Sequence, residues 1–230
     1  MDTKYLFYLT LVISIVVQII TGIIEIGAFF VQVPTIYSLI RQLLIMELVV
    51  QVIEGSYYFW LAYNFTKVVN VTPKRYIDWI ITTPTMLITL MAYLIYLNNK
   101  EENKTNEPND LEFFTLLKDN SGIIIPVVCL NWLMLLFGYL GEMGFIPILL
   151  GVVLGFIPFV MYYYIIYANY VTPNTNGYLL FWYFAFFWSL YGVVAVLPYY
   201  VKNTCYNILD LFAKNFFGLF LSYIIFSGNY

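Results

Sequence analysis

The sequence predicts an all-α integral membrane protein, a bundle of seven transmembrane helices. Two observations predict it. Of the 230 residues, 62% are hydrophobic and only 10% charged, whereas a soluble domain is nearer half apolar and a quarter charged. Too little polar surface remains to cover a water-soluble globule. A membrane span needs about 20 apolar residues, and seven apolar runs with short breaks use nearly the whole chain. Residues 1–230 therefore read as a single seven-helix domain without room for a second.

The elements follow in order. The first span is expected over Tyr5–Phe30; it lacks a small-residue cleavage site and reads as a helix, not a removable signal peptide. The second covers Ile36–Tyr63 and the third Lys74–Leu97. Pro34, Pro73 and Pro173 fall in turns before a helix, where a missing backbone donor costs least. Asn98–Ser121 is polar and charged, too long and too acidic for the bilayer, and reads as a loop between the third and fourth spans. Within it Leu111–Lys118, with Phe113, Phe114 and Leu117, suits a short amphipathic helix on the membrane surface. The fourth span is expected at Gly122–Leu140 and the fifth at Ile146–Tyr170, with Gly141 and Gly144 marking the bend between them. The sixth is Tyr178–Tyr199 and the seventh Asn203–Phe226. Cys129 and Cys205 lie in apolar runs and read as free thiols packed among helices.

Composition also excludes function classes. The net charge is −3 and basic residues do not cluster, which argues against nucleic-acid binding. Histidine is absent from the sequence, removing the commonest general base and metal ligand. An enzyme or a metal site is not expected. Orientation is undecided by charge: Arg41, Lys100, Lys104 and Lys118 on one side balance Lys4, Lys67, Lys74 and Lys202 on the other.

Charges inside spans are costly and mark function. They are Glu25, Glu47, Glu54, Asp78, Asp210 and Lys214, with Arg75 near one end. Asp210 and Lys214 stand four apart, on one helical face. An amine in apolar surroundings is a nucleophile suited to condensing with an aldehyde as a Schiff base. An intramembrane salt bridge without a ligand explains the pair equally well. In the third span Asp78, Thr82 and Thr89 fall within about 40° of one another, with Arg75 on the same side.

The stretch Arg75-Tyr76-Ile77-Asp78-Trp79-Ile80-Ile81-Thr82-Thr83-Pro84 resembles the third helix of the microbial rhodopsins. Trp188-Ser189-Leu190-Tyr191 resembles the family's Trp-x-x-Tyr, and Asp210 to Lys214 its Asp-x-x-x-Lys. Asn131, with Met134 and Gly138 three and seven residues on, resembles its ring-end contacts. The resemblance spans most of the chain. It implies all-trans retinal bound covalently to Lys214, with Asp78 and Asp210 as counterions. Thr82 would orient Asp78, and Arg75 would stabilise the carboxylate pair from the outer side. Trp79 and Trp188 would sandwich the polyene, and Tyr191 would complete the wall. The N-terminus would lie outside and the C-terminus inside. Gly192 departs from the family's proline after Tyr191, so the sixth span is expected to bend differently.

Departures from the pump pattern bear on activity. Thr89 stands where proton pumps of this family carry a carboxylate donor, and Lys202 where they carry a releasing Glu. The chain has polar stripes instead. Ser14, Gln18, Thr21 and Glu25 recur at helical spacing on the first span, and Glu47, Gln51 and Glu54 on the second, each within roughly 60°. With the third-span face and Asn207, Asp210 and Asn215, they form one polar seam. A packed hydrogen-bond network and a water-filled, cation-selecting pore both account for it. Glutamates on the second span in a short chain resemble the viral rhodopsins, in particular the subgroup acting as light-gated cation channels. That activity is the expectation, with an outward proton pump second and a photosensor acting through a partner third. The partners expected are the bilayer, the transported cations or protons, and other copies in a homo-oligomer. Glu47 and Glu54 are expected not to touch retinal.

Overall fold

The computed structural model describes residues 2–102, 111–171 and 175–230. Pro173, Lys104 and the middle of the expected loop lie outside them. Seven helices among the described residues are long and apolar enough to cross a membrane. They are α1 (Thr3–Phe29), α2 (Ser38–Asn64), α3 (Thr72–Glu102), α5 (Ser121–Glu142), α6 (Ile148–Tyr170), α7 (Thr175–Ala195) and a last span made of α8 (Tyr199–Asp210), a π-helical turn (Leu211–Asn215) and α9 (Phe216–Ser227). The short α4 (Phe113–Asp119) lies between α3 and α5.

Span number and order match the sequence reading; the ends differ for local reasons. The expected loop over Asn98–Ser121 is partly helical, because α3 continues through Asn98 to Glu102. Polar residues extend a helix freely once it leaves the apolar layer, so polarity marks the end of the span and not of the helix. In α4 the Phe113 and Leu116 side chains are buried against the bundle while Phe114 is exposed, so the face turned inward is not the expected set of Phe113, Phe114 and Leu117. Its first backbone N–H donates to Gln42 Oε1 at 2.8 Å, tying it to α2. The second span opens with a 3-10 turn, Thr35–Tyr37, after Pro34. Pro73 lies inside the first turn of α3, not before it. The sixth span stops at Ala195, short of Pro198, and Tyr199 opens α8 instead.

Of the two glycines at the α5–α6 bend, only Gly144 turns the chain, with φ +76°. Gly141 is in the last turn of α5, where it lets α6 approach: a Cβ on the facing Gly151 would stand 2.8 Å from the Phe137 carbonyl oxygen and 3.3 Å from Gly141 Cα. Cys129 is exposed on the outside of the bundle and not packed among helices. The outward faces of the spans carry large apolar side chains, among them Ile23, Val52, Ile77, Ile80 and Val153, as lipid requires. Inside, an apolar core of Leu39, Leu43, Leu87, Leu90, Tyr162 and Phe217 joins α2, α3, α6 and α9.

Candidate functional site

The last span sets the site. Asp210 and Asn215 are five positions apart, which in an unbroken α-helix would put the two on different faces. The π-helical turn over Leu211–Asn215 widens the repeat. Asp210, Lys214 and Asn215 are then all buried toward the interior.

Lys214 Nζ stands 2.5 Å from Asp78 Oδ2, 3.7 Å from Glu54 Oε1 and 3.8 Å from Asp210 Oδ1. Glu54, expected not to touch retinal, thus stands beside this lysine. It lies one helical turn before Tyr58 on α2 and faces the same interior point. Asp210 is held from two sides, by the Tyr58 and Tyr191 hydroxyls, each donating at 2.6 Å. Arg75 is fully buried and meets Asp210 Oδ2 at 3.4 Å. Its other donors go to Asn203 and Asn207, at 3.1 and 2.5 Å, and its guanidinium lies over the Tyr57, Tyr58 and Tyr206 rings. Arg75 thus serves Asp210 and the polar cluster of Asn203 and Asn207, while Asp78 answers Lys214; the expected shared clamp on both carboxylates is divided. The Thr82 hydroxyl donates to the Asp78 main-chain oxygen at 3.0 Å.

A cavity reaches Lys214 from the other side. It encloses about 790 Å³ of space free of protein atoms, its mouth included, and is walled by Trp79, Met134, Gly138, Trp188, Tyr191 and the Lys214 side chain. Sequence-named residues thus form the wall from α3, α5, α7 and the last span. Asn131 is not among the residues lining the cavity; its Oδ1 stands 2.8 Å from the hydroxyl of Thr83, which does line it. Gly192 faces the Phe156 ring, 2.6 Å from where a Cβ would be; the residue that replaces the family's proline makes room for an aromatic from α6.

The stripes also meet. Ser14 donates to the Asn207 main-chain oxygen at 3.2 Å, Gln51 to that of Gln18 at 2.7 Å, and Gln18 to Asn215 Oδ1 at 3.4 Å. Further along, Glu25 and Glu47 are buried, each with one carboxyl oxygen that has no hydrogen-bond partner among the described residues, and the buried Thr89 hydroxyl donates to the Thr85 main-chain oxygen at 3.0 Å. Thr21 is buried on the same face of α1. Lys202 pairs with Glu142 at 2.7 Å, linking the start of α8 to the end of α5. Sequence reasoning missed Tyr58 and Asn203. Each extends a stripe already in hand, Tyr58 four residues after Glu54 and Asn203 four before Asn207.

Seven apolar helices around a buried, carboxylate-ringed lysine with an adjoining cavity define a multi-pass membrane protein built to hold a small apolar group. The chain belongs to the bacteriorhodopsin-like family, whose sequence model matches residues 9–228. This family normally carries a retinal chromophore. Among solved structures, the viral rhodopsin OLPVRII is 28% identical, with a TM-score of 0.78 and 99% of each chain covered. A blue light-absorbing proteorhodopsin from Med12 is 16% identical at TM-score 0.73, covering 97% of this chain and 98% of that one. Xanthorhodopsin, described as a light-driven ion pump with dual chromophore, is 18% identical at TM-score 0.73, covering 97% and 93%; these two likenesses concern the fold. No curated protein matches the chain by sequence.

Proposed function

We propose that the chain is a photoreceptor that carries all-trans retinal as a Schiff base on Lys214 and acts as a light-gated cation channel. Retinal fits the residues present: the cavity is walled by aromatic, methionine and glycine residues and ends on the one amine that lines it. Bound retinal supplies absorption of visible light and a change of shape. The chain's own residues do the rest. Trp79 and Trp188 confine the chromophore, Asp78 receives the hydrogen bond from the lysine nitrogen, and Asp210, fixed by Tyr58, Tyr191 and Arg75, holds the second negative charge.

The observation that carries the channel reading is the seam. Buried polar side chains recur along the interior, from Arg75, Asn203 and Asn207, past Glu54 and Lys214, through Gln18, Gln51 and Asn215, to Glu25 and Glu47. Where Gln18, Gln51 and Asn215 bond one another the seam is shut. Water between those amides would open it, and the carboxylates on either side would favour cations. By resemblance to the family, the N-terminus is outside and the C-terminus inside.

An outward proton pump is the second reading. It is favoured by the 2.5 Å contact between Lys214 and Asp78, which suits direct proton transfer. Voltage clamp under illumination separates the two. A channel current reverses sign at the potential set by the cation gradient. A current that stays outward at every voltage and ignores the gradient selects the pump.

A further inference from the structure

Pro84 interrupts α3 between Thr82 and Thr89. A proline has no N–H, so the carbonyl four residues earlier, that of Ile80, loses its helical donor. Ile80 and Trp132 are both about half exposed on the lipid-facing surface, at 52% and 47%, where no water replaces that donor. The neighbouring carbonyls show how α3 manages its bend. Thr82 donates to Asp78 O at 3.0 Å, Thr83 to Trp79 O at 2.7 Å and Thr85 to Ile81 O at 2.8 Å. Such back-bonding hydroxyls bend helices. Four consecutive carbonyls, 78 to 81, thus take side-chain donors. Only the residue that would serve Ile80 is the proline, and that carbonyl is served from another helix: Trp132 Nε1 on α5 donates to Ile80 O at 2.9 Å. The preceding residue, Asn131, meets Thr83 at 2.8 Å. The Thr83 hydroxyl has one proton, used on Trp79 O. With its amide turned so that Nδ2 faces Thr83, Asn131 donates to that hydroxyl, and its otherwise unpartnered nitrogen gains a bond. Two adjacent residues of α5 therefore clasp α3 at its proline.

We propose that Trp132 is a positioning residue, whose indole N–H replaces the hydrogen bond Pro84 cannot make and so sets the bend of α3 that presents Asp78 and Thr82 to Lys214. The clasp reaches the light response through the proposed roles of Asp78 and Lys214; the hydrogen bond and its hold on α3 stand without them. Trp132→Phe removes the N–H and keeps an aromatic ring toward lipid. Pro84→Ala gives residue 84 its own N–H for Ile80 O. Dark-state recovery after a flash should change about tenfold in Trp132→Phe, the scale of leaving one carbonyl without a donor in an apolar medium. With alanine at position 84, the same substitution should change recovery by no more than about twofold. The ultraviolet Raman difference between parent and Trp132→Phe should show a strongly hydrogen-bonded indole. In retinal-free protein, Trp132→Phe should lower the unfolding temperature with proline at 84 and leave it unchanged with alanine. Equal effects in the two backgrounds, or a free indole in the Raman difference, would overturn the clasp. A failure to form pigment in the parent would instead defeat the chromophore reading, and the unfolding cycle would still decide the clasp.

Discussion

Lys214 faces three carboxylates that differ in their other partners. Asp78 Oδ2 takes its hydrogen bond, Asp210 is already committed to Tyr58, Tyr191 and Arg75, and neither oxygen of Glu54 has a hydrogen-bond partner among the described residues. Three predictions follow from that inequality. Lys214→Ala should leave the bundle inserted and abolish the visible band on adding retinal; a normal band in the mutant would defeat the linkage. An anion beside the nitrogen stabilises the positive charge there, so its removal narrows the gap to the excited state. Asp78→Asn should therefore shift the visible maximum to longer wavelength, as should acid in the parent once Asp78 takes a proton. Glu54→Gln should shift it in the same direction by less, because Glu54 lies at 3.7 Å without a hydrogen bond. An unchanged spectrum in Glu54→Gln would show that this carboxylate does not act on the chromophore. The motif residues were legible in the sequence because each is a rare charge or polar group in an apolar run. Glu54's closeness to Lys214 was not, because it depends on how deep α2 sits against the last span.

At the scale of elements, packing distances are set by residues that have little signal of their own. The α5–α6 pair approaches closely because Gly141 and Gly151 face each other. Gly151→Ala places a Cβ 2.8 Å from the Phe137 carbonyl oxygen. Since backbone cannot yield as a side-chain tip does, the helices must part, at a cost of about 1–3 kcal/mol. Thermal unfolding of the retinal-free protein measures this, and a parental melting temperature would show that the pair relaxes freely. Both helices also wall the cavity, so the same variant should broaden or shift the visible band. The spans were legible as apolar runs. The π-helical turn was not, since Leu211-Phe212-Ala213-Lys214-Asn215 differs in no local preference from an α-helical stretch. It forms because tertiary contacts draw both Asp210 and Asn215 inward.

Across the whole molecule, the polar stripes of α1, α2, α3 and the last span meet in one interior seam, leaving the outward faces to lipid. If the seam conducts, Glu47→Ala removes an attraction for a partly dehydrated cation at the end of the seam away from Arg75. It should lower conductance or shift the reversal potential under mixed cations while leaving the colour nearly intact, since Glu47 lies two helical turns before Glu54 on α2 and Lys214 pairs with Glu54, Asp78 and Asp210. An unaltered reversal potential with unidirectional current would remove the channel reading. If the seam is instead dry packing, the same variant should chiefly change thermal stability.

Composition and run length alone determined that the chain is a seven-span helical membrane protein, because lipid admits few ways to satisfy a backbone. Residue spacing alone marked the lysine, its counterion candidates and the faces of the stripes, because helical periodicity carries side-chain direction within a span. Tertiary structure decided how the spans sit against one another. It brought Glu54 to Lys214, gave Arg75 to Asp210, Asn203 and Asn207, and left Asn131 outside the cavity lining. It also set Trp132 against the carbonyl that Pro84 leaves bare. Each of these depends on the relative depth and rotation of two helices. Those are fixed by close glycine contacts, one π-helical turn and buried hydrogen bonds between residues distant in the chain, none of which periodicity within a single span encodes.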